Sequence, residues 1–350
     1  MSRDVVLHER DVARPVQPDM RTRLAGVEFP NPVFTASGCA AAGQELQQFF
    51  DVARLGGVVT KSIMLAARSG RGTPRMAETP SGMLNSIGLQ GPGIDAFLER
   101  DLSWLADRGA RAVVSIAGGS VDDYAELALR LRDRPGLAMI EVNISCPNVE
   151  DRGQVFACDP RASAEVVAAV RRNSDPAVPV FAKLSPDVTD ITAIARACVD
   201  AGAHGLSLIN TLLGLAIDTT TMRPVLGGVT GGLSGPAIRP VAVRCVWQVH
   251  QALPDVPILG MGGIRTGLDA LELVLAGASA VSVGTTVFGD PTAPVRILDE
   301  LATALAERGF ERFEDAVGLA HGRPRAYVPE EPDPVGDEQP PADRGPVAFE

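Results

Sequence analysis

Aromatic residues are scarce in this chain: two tryptophans, two tyrosines and eleven phenylalanines make up 4% of 350 residues. β-Sandwiches draw on aromatic residues for their cores and interfaces, so the shortage, set beside 36 glycines, favours an α/β architecture with many tight βα turns. Clustered cysteine is missing too. Cys39, Cys146, Cys158, Cys198 and Cys245 are far apart with no CxxC pair, which argues against a metal or iron–sulfur site held by this chain alone. Their odd number argues against a disulfide framework. Basic charge is in deficit: the net charge is −11, which disfavours nucleic acid and membrane surfaces as partners. Long apolar runs are absent, and the opening MSRDVVLHERDVARP carries charges where a signal peptide needs its apolar centre, so a cytoplasmic protein is expected. No GxGxxG follows the first strand, which favours a mononucleotide over a dinucleotide.

What remains is ample for a large core, at 45% hydrophobic residues, and the order of segments is a repeated βα alternation. Residues 1–20 are charged and lack periodicity, reading as a flexible arm; 21–315 read as one (β/α)8 TIM barrel; 316–350, acidic and proline-rich, read as a disordered tail. TRLAGVEFPNPVFTASG reads as a hairpin leading into a first strand that ends near Ser37, and QELQQFFDVARLG as a helix. GVVTKS is a second strand ending in Lys61 and Ser62. The long connection from Ile63 to Gly93 holds Asn85, Ser86, Ile87, Gly88 and Leu89, enough polar and backbone groups to hold a small carboxylated ring. Lys183 sits inside an apolar strand, costly unless it meets an anion or an electron-rich ring. The sixth strand runs out at Asn210-Thr211. Glycine-rich ends at Gly231–Gly235, Gly262-Gly263 and Gly284-Thr285 sit in the last third of eight βα units, where such barrels bind phosphate.

One stretch concentrates the chemistry: EVNISCPNV, from Glu141 to Val149. Proline has no N–H for a ladder, so the strand breaks at Cys146-Pro147 and presents a thiol. Asn143 and Asn148 lie on either side of it, and carboxamides carry the donors and acceptors that read a ring bearing imide groups. On these nine residues alone a buried structural cysteine is the commoner outcome. The rest of the chain favours acid/base or nucleophilic chemistry on a polar heterocycle.

The set NPVFTASG, TKS, PRMAETPSGMLNSIGLQGPGID, NISCPNV, AKLSPDVTDI, INTLLGLAID, GGLSGPAIRP, GMGGI and VGTTVF resembles dihydroorotate dehydrogenase, nearest to class 1B, over residues of about 22 to 310. The resemblance implies FMN at the C-terminal face of the barrel. Ser37, Lys61, Ser62, Ser115, Asn143, Lys183 and Ile209 would surround its ring and ribityl chain; Gly235, Gly262, Gly263, Gly284 and Thr285 would hold its phosphate. Dihydroorotate would meet Lys61, Asn85, Gly88, Leu89, Asn143, Asn148, Asn210 and Thr211, with Ser86 and Ile87 alongside, and Cys146 would be the base at C5. Class 2 relatives place serine at that position and carry an apolar docking helix that is missing from this sequence. Class 1B sequences usually have asparagine at the position of Ser115, where serine is more like class 1A. Class 1B also implies a partner subunit carrying FAD and a [2Fe–2S] cluster that passes electrons to NAD+, in a heterotetramer built on a homodimer core. The alternatives are a dihydropyrimidine-type flavoenzyme, a fumarate-linked class 1A enzyme, and a non-catalytic FMN-binding sensor.

Overall fold

Eight short strands, each an apolar run, form the centre of the computed structural model, which describes residues 17–144 and 159–322. Cys146 and Asn148 lie outside the described residues. The strands are Val33–Thr35, Val58–Val59, Ala112–Ile116, Leu137–Asn143, Val180–Leu184, Gly205–Leu208, Ile258–Met261 and Ala280–Val283. Their order round the sheet is first, eighth, seventh and so on down to second, all parallel. A parallel bridge between Phe34 and Gly57 closes the ring, giving the expected TIM barrel.

Outside the ring lie the helices Val121–Leu131, Pro160–Asn173, Ile191–Asp200, Arg239–Ala252, Gly267–Leu275 and Ala293–Ala306. Several begin at a side-chain cap, Ser120, Asp159, Asp190 or Thr266, each accepting from a backbone N–H in the first turn. After the second strand the helical stretch is mixed: Ile94–Ala96, a π-helical Phe97–Leu102, then Ser103–Asp107. The helix expected over QELQQFFDVARLG does not form. Two 3-10 turns, Leu46–Gln48 and Val52–Arg54, replace it. Local side-chain bonds explain the break: Asp51 Oδ1 accepts from Ala53 N at 3.1 Å and Gln47 Oε1 from Val52 N at 3.2 Å, an alternative that competes with the helical ladder.

Side chains inside a barrel stack in layers drawn from alternate strands, because eight strands with a shear of eight rise by one residue per strand. Following the registers on that rule, the lowest layer is Gly57, Met139, Gly205 and Ala280, and above it come Phe34, Val113, Phe181 and Leu259. The two glycines make room for the two rings. A Cβ on Gly205 would lie 2.3 Å from the Phe181 ring, and one on Gly57 2.7 Å from that of Phe34. The hairpin Thr22–Leu24/Val27–Phe29 closes the barrel below, with Leu24 and Phe29 in the same cluster as these rings and Phe29 edge-on to Phe34 at 5.1 Å.

Above this apolar plug the layers turn polar: first Val59, Glu141, Ser207 and Ser282, then Ala36, Ser115, Lys183 and Met261. Over the C-terminal mouth, the connections after the second and sixth strands meet in a four-stranded antiparallel sheet. Its strands are Met76–Thr79, Gly82–Asn85, Gly231–Ser234 and Leu212–Gly214. At the chain ends, Asp19 pairs with Arg312, and His321, on the turn Leu319–His321, stacks on Trp247 at 3.7 Å and bonds Ala276 O at 3.0 Å.

Placing a methyl group at Gly205 should overpack the interior. Gly205→Ala is expected to lower stability by about 1–3 kcal/mol, whereas Gly72→Ala, with nothing within 4 Å of its Cβ, should stay within about 0.5 kcal/mol of the parent. Urea unfolding followed by circular dichroism measures both, and equal effects would contradict the layer assignment.

Candidate active site

The upper mouth of the barrel is a cavity of about 2030 Å³. Continuing the layers just past the strand ends gives its floor, Lys61, Asn143, Ile209 and Gly284, all of which line it. Ser37, Ser62, Asn85 to Leu89, Lys183, Asn210, Thr211, Gly235, Gly262, Gly263 and Thr285 line it as well. Every site residue read from the sequence that lies within the described residues is therefore brought together here, with one exception. Ser115 is fully buried one layer down, where its hydroxyl lies 2.9 Å from Ser62 Oγ.

A continuous hydrogen-bonded chain crosses this floor. Ser37 Oγ is 3.3 Å from Ser62 Oγ; Asn143 Nδ2 donates to Ser62 Oγ at 3.0 Å; Asn210 Nδ2 donates to Asn143 Oδ1 at 3.4 Å; Thr211 N donates to Asn210 Oδ1 at 2.8 Å. The chain fixes both carboxamide orientations, because each amide oxygen is named by the donor it receives. Tyr124 OH donates to Asn143 O at 2.8 Å, pinning the backbone where the fourth strand ends. Two amides and three hydroxyls are thus held in a fixed array below the cavity.

The glycine-rich ends form a separate wall. Gly235, Gly262 and Gly263 have φ of 91°, 127° and 78°, the left-handed side that only glycine adopts without strain. At Gly263 a Cβ would also come 2.6 Å from Arg239 Cβ and 3.0 Å from Arg239 backbone, so the seventh strand's end is packed against the start of the helix Arg239–Ala252. Thr285 Oγ1 donates to Ser234 Oγ at 2.8 Å, joining the loop after the sixth strand to the end of the eighth. Arg296 also borders the cavity, but Asp290 at 2.8 Å and Glu300 at 2.7 Å already offset its charge. Backbone donors on bare glycine, a hydroxyl and the polar floor suit a phosphate-bearing planar ring, so these residues fit the FMN that the resemblance implies.

The sheet over the mouth supplies the other wall. Asn85 Nδ2 donates to Gly232 O at 3.3 Å, tying the two long connections together within that sheet. Ser86 is buried, and its hydroxyl has no hydrogen-bond partner among the described residues. Leu89 is held at φ 54°, strained for a branched side chain and placed at the cavity edge.

Two features of the site escaped the sequence reading. Cys39 lines the cavity, and burial pushes its thiol up to about 11 against the opposing pull of the Lys183 and Lys61 charges. Below the floor, Glu141 is completely buried with one oxygen 3.6 Å from Lys183 Nζ. A charged residue inside an apolar run was its only sequence signal.

Comparison with known proteins agrees with this geometry. Residues 19–305 match the family described as dihydroorotate dehydrogenase. A Geobacter protein (strain M21) named dihydroorotate dehydrogenase B (NAD(+)), catalytic subunit, is 50% identical over 302 residues, 86% of this chain and 98% of the relative. The protein of the same name from Pelobacter propionicus is 51% identical over 303 residues, 87% and 99% of the two chains. Among solved structures, DHODH from Eimeria tenella in complex with ferulenol superposes with a TM-score of 0.75 at 25% identity, covering 89% of this chain and 91% of that one. The eight-stranded barrel, the polar array at its mouth and these matches together place the chain in the dihydroorotate dehydrogenase family.

Proposed function

We propose that this chain is the catalytic subunit of an NAD-linked dihydroorotate dehydrogenase, oxidising dihydroorotate to orotate in pyrimidine biosynthesis. The observation that carries the reading is the hydrogen-bonded array from Ser37 through Ser62, Asn143 and Asn210 to Thr211 at the barrel mouth, with Lys61 beside it. When bound, FMN supplies a ring that accepts the two electrons and the hydrogen leaving C6 of the substrate.

The chain's own residues do the rest. Lys61, on the cavity floor, faces the substrate carboxylate as its counter-ion. Asn85, Asn143 and Asn210 reach the imide edges, while Asn148, outside the described residues, completes the set read from the sequence. Cys146 takes the proton from C5 as the C5–H bond breaks and its electron pair forms the ring double bond. An ordinary thiol, with a pKa of about 8.5, is mostly protonated at neutral pH, so a cysteine base implies activity that rises towards alkaline pH. Lys183, which lines the cavity, would offset negative charge on a reduced flavin bound there.

The electrons leave for NAD+ through a second subunit bearing FAD and a [2Fe–2S] cluster, in an assembly of two catalytic and two electron-transfer chains. Support for this comes from the relatives' name, catalytic subunit of the NAD(+) enzyme, and from cysteines too scattered in this sequence to hold the cluster. Among the described residues no helix is long and apolar enough to cross a membrane, in keeping with a cytoplasmic setting. Residues 21–315 form the catalytic domain in this reading, flanked by the arm and the acidic tail.

Cys146→Ala should retain its yellow colour and lose turnover by about 100- to 10,000-fold, the range ordinarily supplied by a positioned base. Steady-state assays with flavin content measured in parallel check this, and near-parental turnover would remove Cys146 from the mechanism. Iodoacetamide at pH 8 should label the Cys146 peptide and spare Cys39. The raised folded-state value near 11 keeps Cys39 a thiol until the pH climbs well past the ordinary cysteine range. Peptide mass mapping reads both sites, and rapid labelling of Cys39 at pH 8 would contradict its raised pKa.

A further inference from the structure

The layer beneath the cavity floor has no place in the mechanism above, yet it is the most polar part of the barrel interior. Glu141, Ser207 and Ser282 come from the fourth, sixth and eighth strands and share one layer with Val59. All three are at most 1% exposed. Glu141 Oε1 and Oε2, Ser207 Oγ and Ser282 Oγ have no hydrogen-bond partner among the described residues. Polar atoms sealed in a barrel core are expensive, and their convergence on the axis from three strands calls for a purpose other than packing. Directly above, in the next layer, stands Lys183, 5% exposed, with its ammonium 3.6 Å from Glu141 Oε1.

We propose that Glu141, supported by the Ser207 and Ser282 hydroxyls, is a positioning residue: the buried counter-ion that holds Lys183 just below the cavity floor and would set how strongly a bound flavin attracts electrons. The inference rests on the reading of the cavity as an FMN site. Lys183 alone would place a full positive charge just below the cavity floor and would favour electron uptake by a flavin bound there. Glu141 offsets that charge in a low-dielectric interior, where few other groups screen it. The two hydroxyls make no direct hydrogen bond to the carboxylate, and ordered water within this polar layer would join them to it. Removing one member of a buried pair leaves the other uncompensated, so the layer acts as a unit.

The test is the reduction potential of the bound flavin in the purified holoprotein, read by equilibration with a reference dye. Glu141→Gln keeps the shape and removes the charge. It should shift the reduced-to-oxidised ratio at least tenfold towards reduced, about 30 mV for a two-electron couple, while Glu141→Asp, which keeps the charge, should stay near the parent. A purely structural role would move the melting temperature and leave the potential in place. The double variant Ser207→Ala/Ser282→Ala loses only two hydroxyls and guards against a Glu141→Gln chain that fails to fold. It should shift the ratio the same way, by at least about threefold, through a less well-held carboxylate. Parental potentials in the folded variants would overturn the proposal while leaving the FMN site intact. A parental protein that binds no flavin would instead overturn the reading of the site, and this inference with it.

Discussion

Register in a closed parallel barrel is the constraint from which the rest follows. Eight strands rising one residue at a time divide the interior into layers, and a single-residue slip would exchange every inward side chain for an outward one. In this chain the layers are graded. Phenylalanine rings seated on glycine fill the bottom, hydroxyls and an ion pair occupy the middle, and amides with lysine cover the top. The apolar layers supply the burial that stabilises the fold, roughly 1.5–3 kcal/mol for each fully buried large side chain. That foundation is what allows Glu141 and Lys183 to be held away from water. The polar array at the mouth owes its order to the same ladder, since Ser62, Asn143 and Asn210 each stand where a different strand ends.

Much of this was legible in the sequence because βα alternation and strand-end residues are local signals. Lys61, Asn143, Lys183 and Asn210 stood out as polar residues closing or interrupting apolar runs, and the strand-end glycines at Gly262-Gly263 and Gly284-Thr285 fell where phosphate loops occur. The family resemblance added roles to residues whose chemistry was already visible. The hairpin before the first strand was readable too, in the segment that opens with TRLAGVEFP, and it seals the barrel floor.

What stayed hidden depends on distance in the chain. The antiparallel sheet over the mouth pairs Gly82–Asn85 with Gly231–Ser234, and no local pattern announces a partner so far along the sequence. The helix expected across residues 44–56 had suitable composition, but Asp51 and Gln47 turned their side chains onto the backbone instead. Glu141 lay in plain view two residues before Asn143, yet only the registers reveal that it shares a layer with Ser207 and Ser282. Ser115 was read as touching the cofactor, whereas it lies beneath the floor and reaches the cavity through Ser62.

The function proposed for this site requires that it take electrons from a dihydropyrimidine that bears a carboxylate. Anaerobic mixing of the purified protein with dihydroorotate, followed by absorbance at about 450 nm where oxidised flavins absorb, tests that directly. Rapid bleaching by dihydroorotate, with dihydrouracil far slower because it offers Lys61 no carboxylate, is the expected result. A yellow protein that dihydroorotate leaves unbleached, or that dihydrouracil bleaches equally fast, would contradict it.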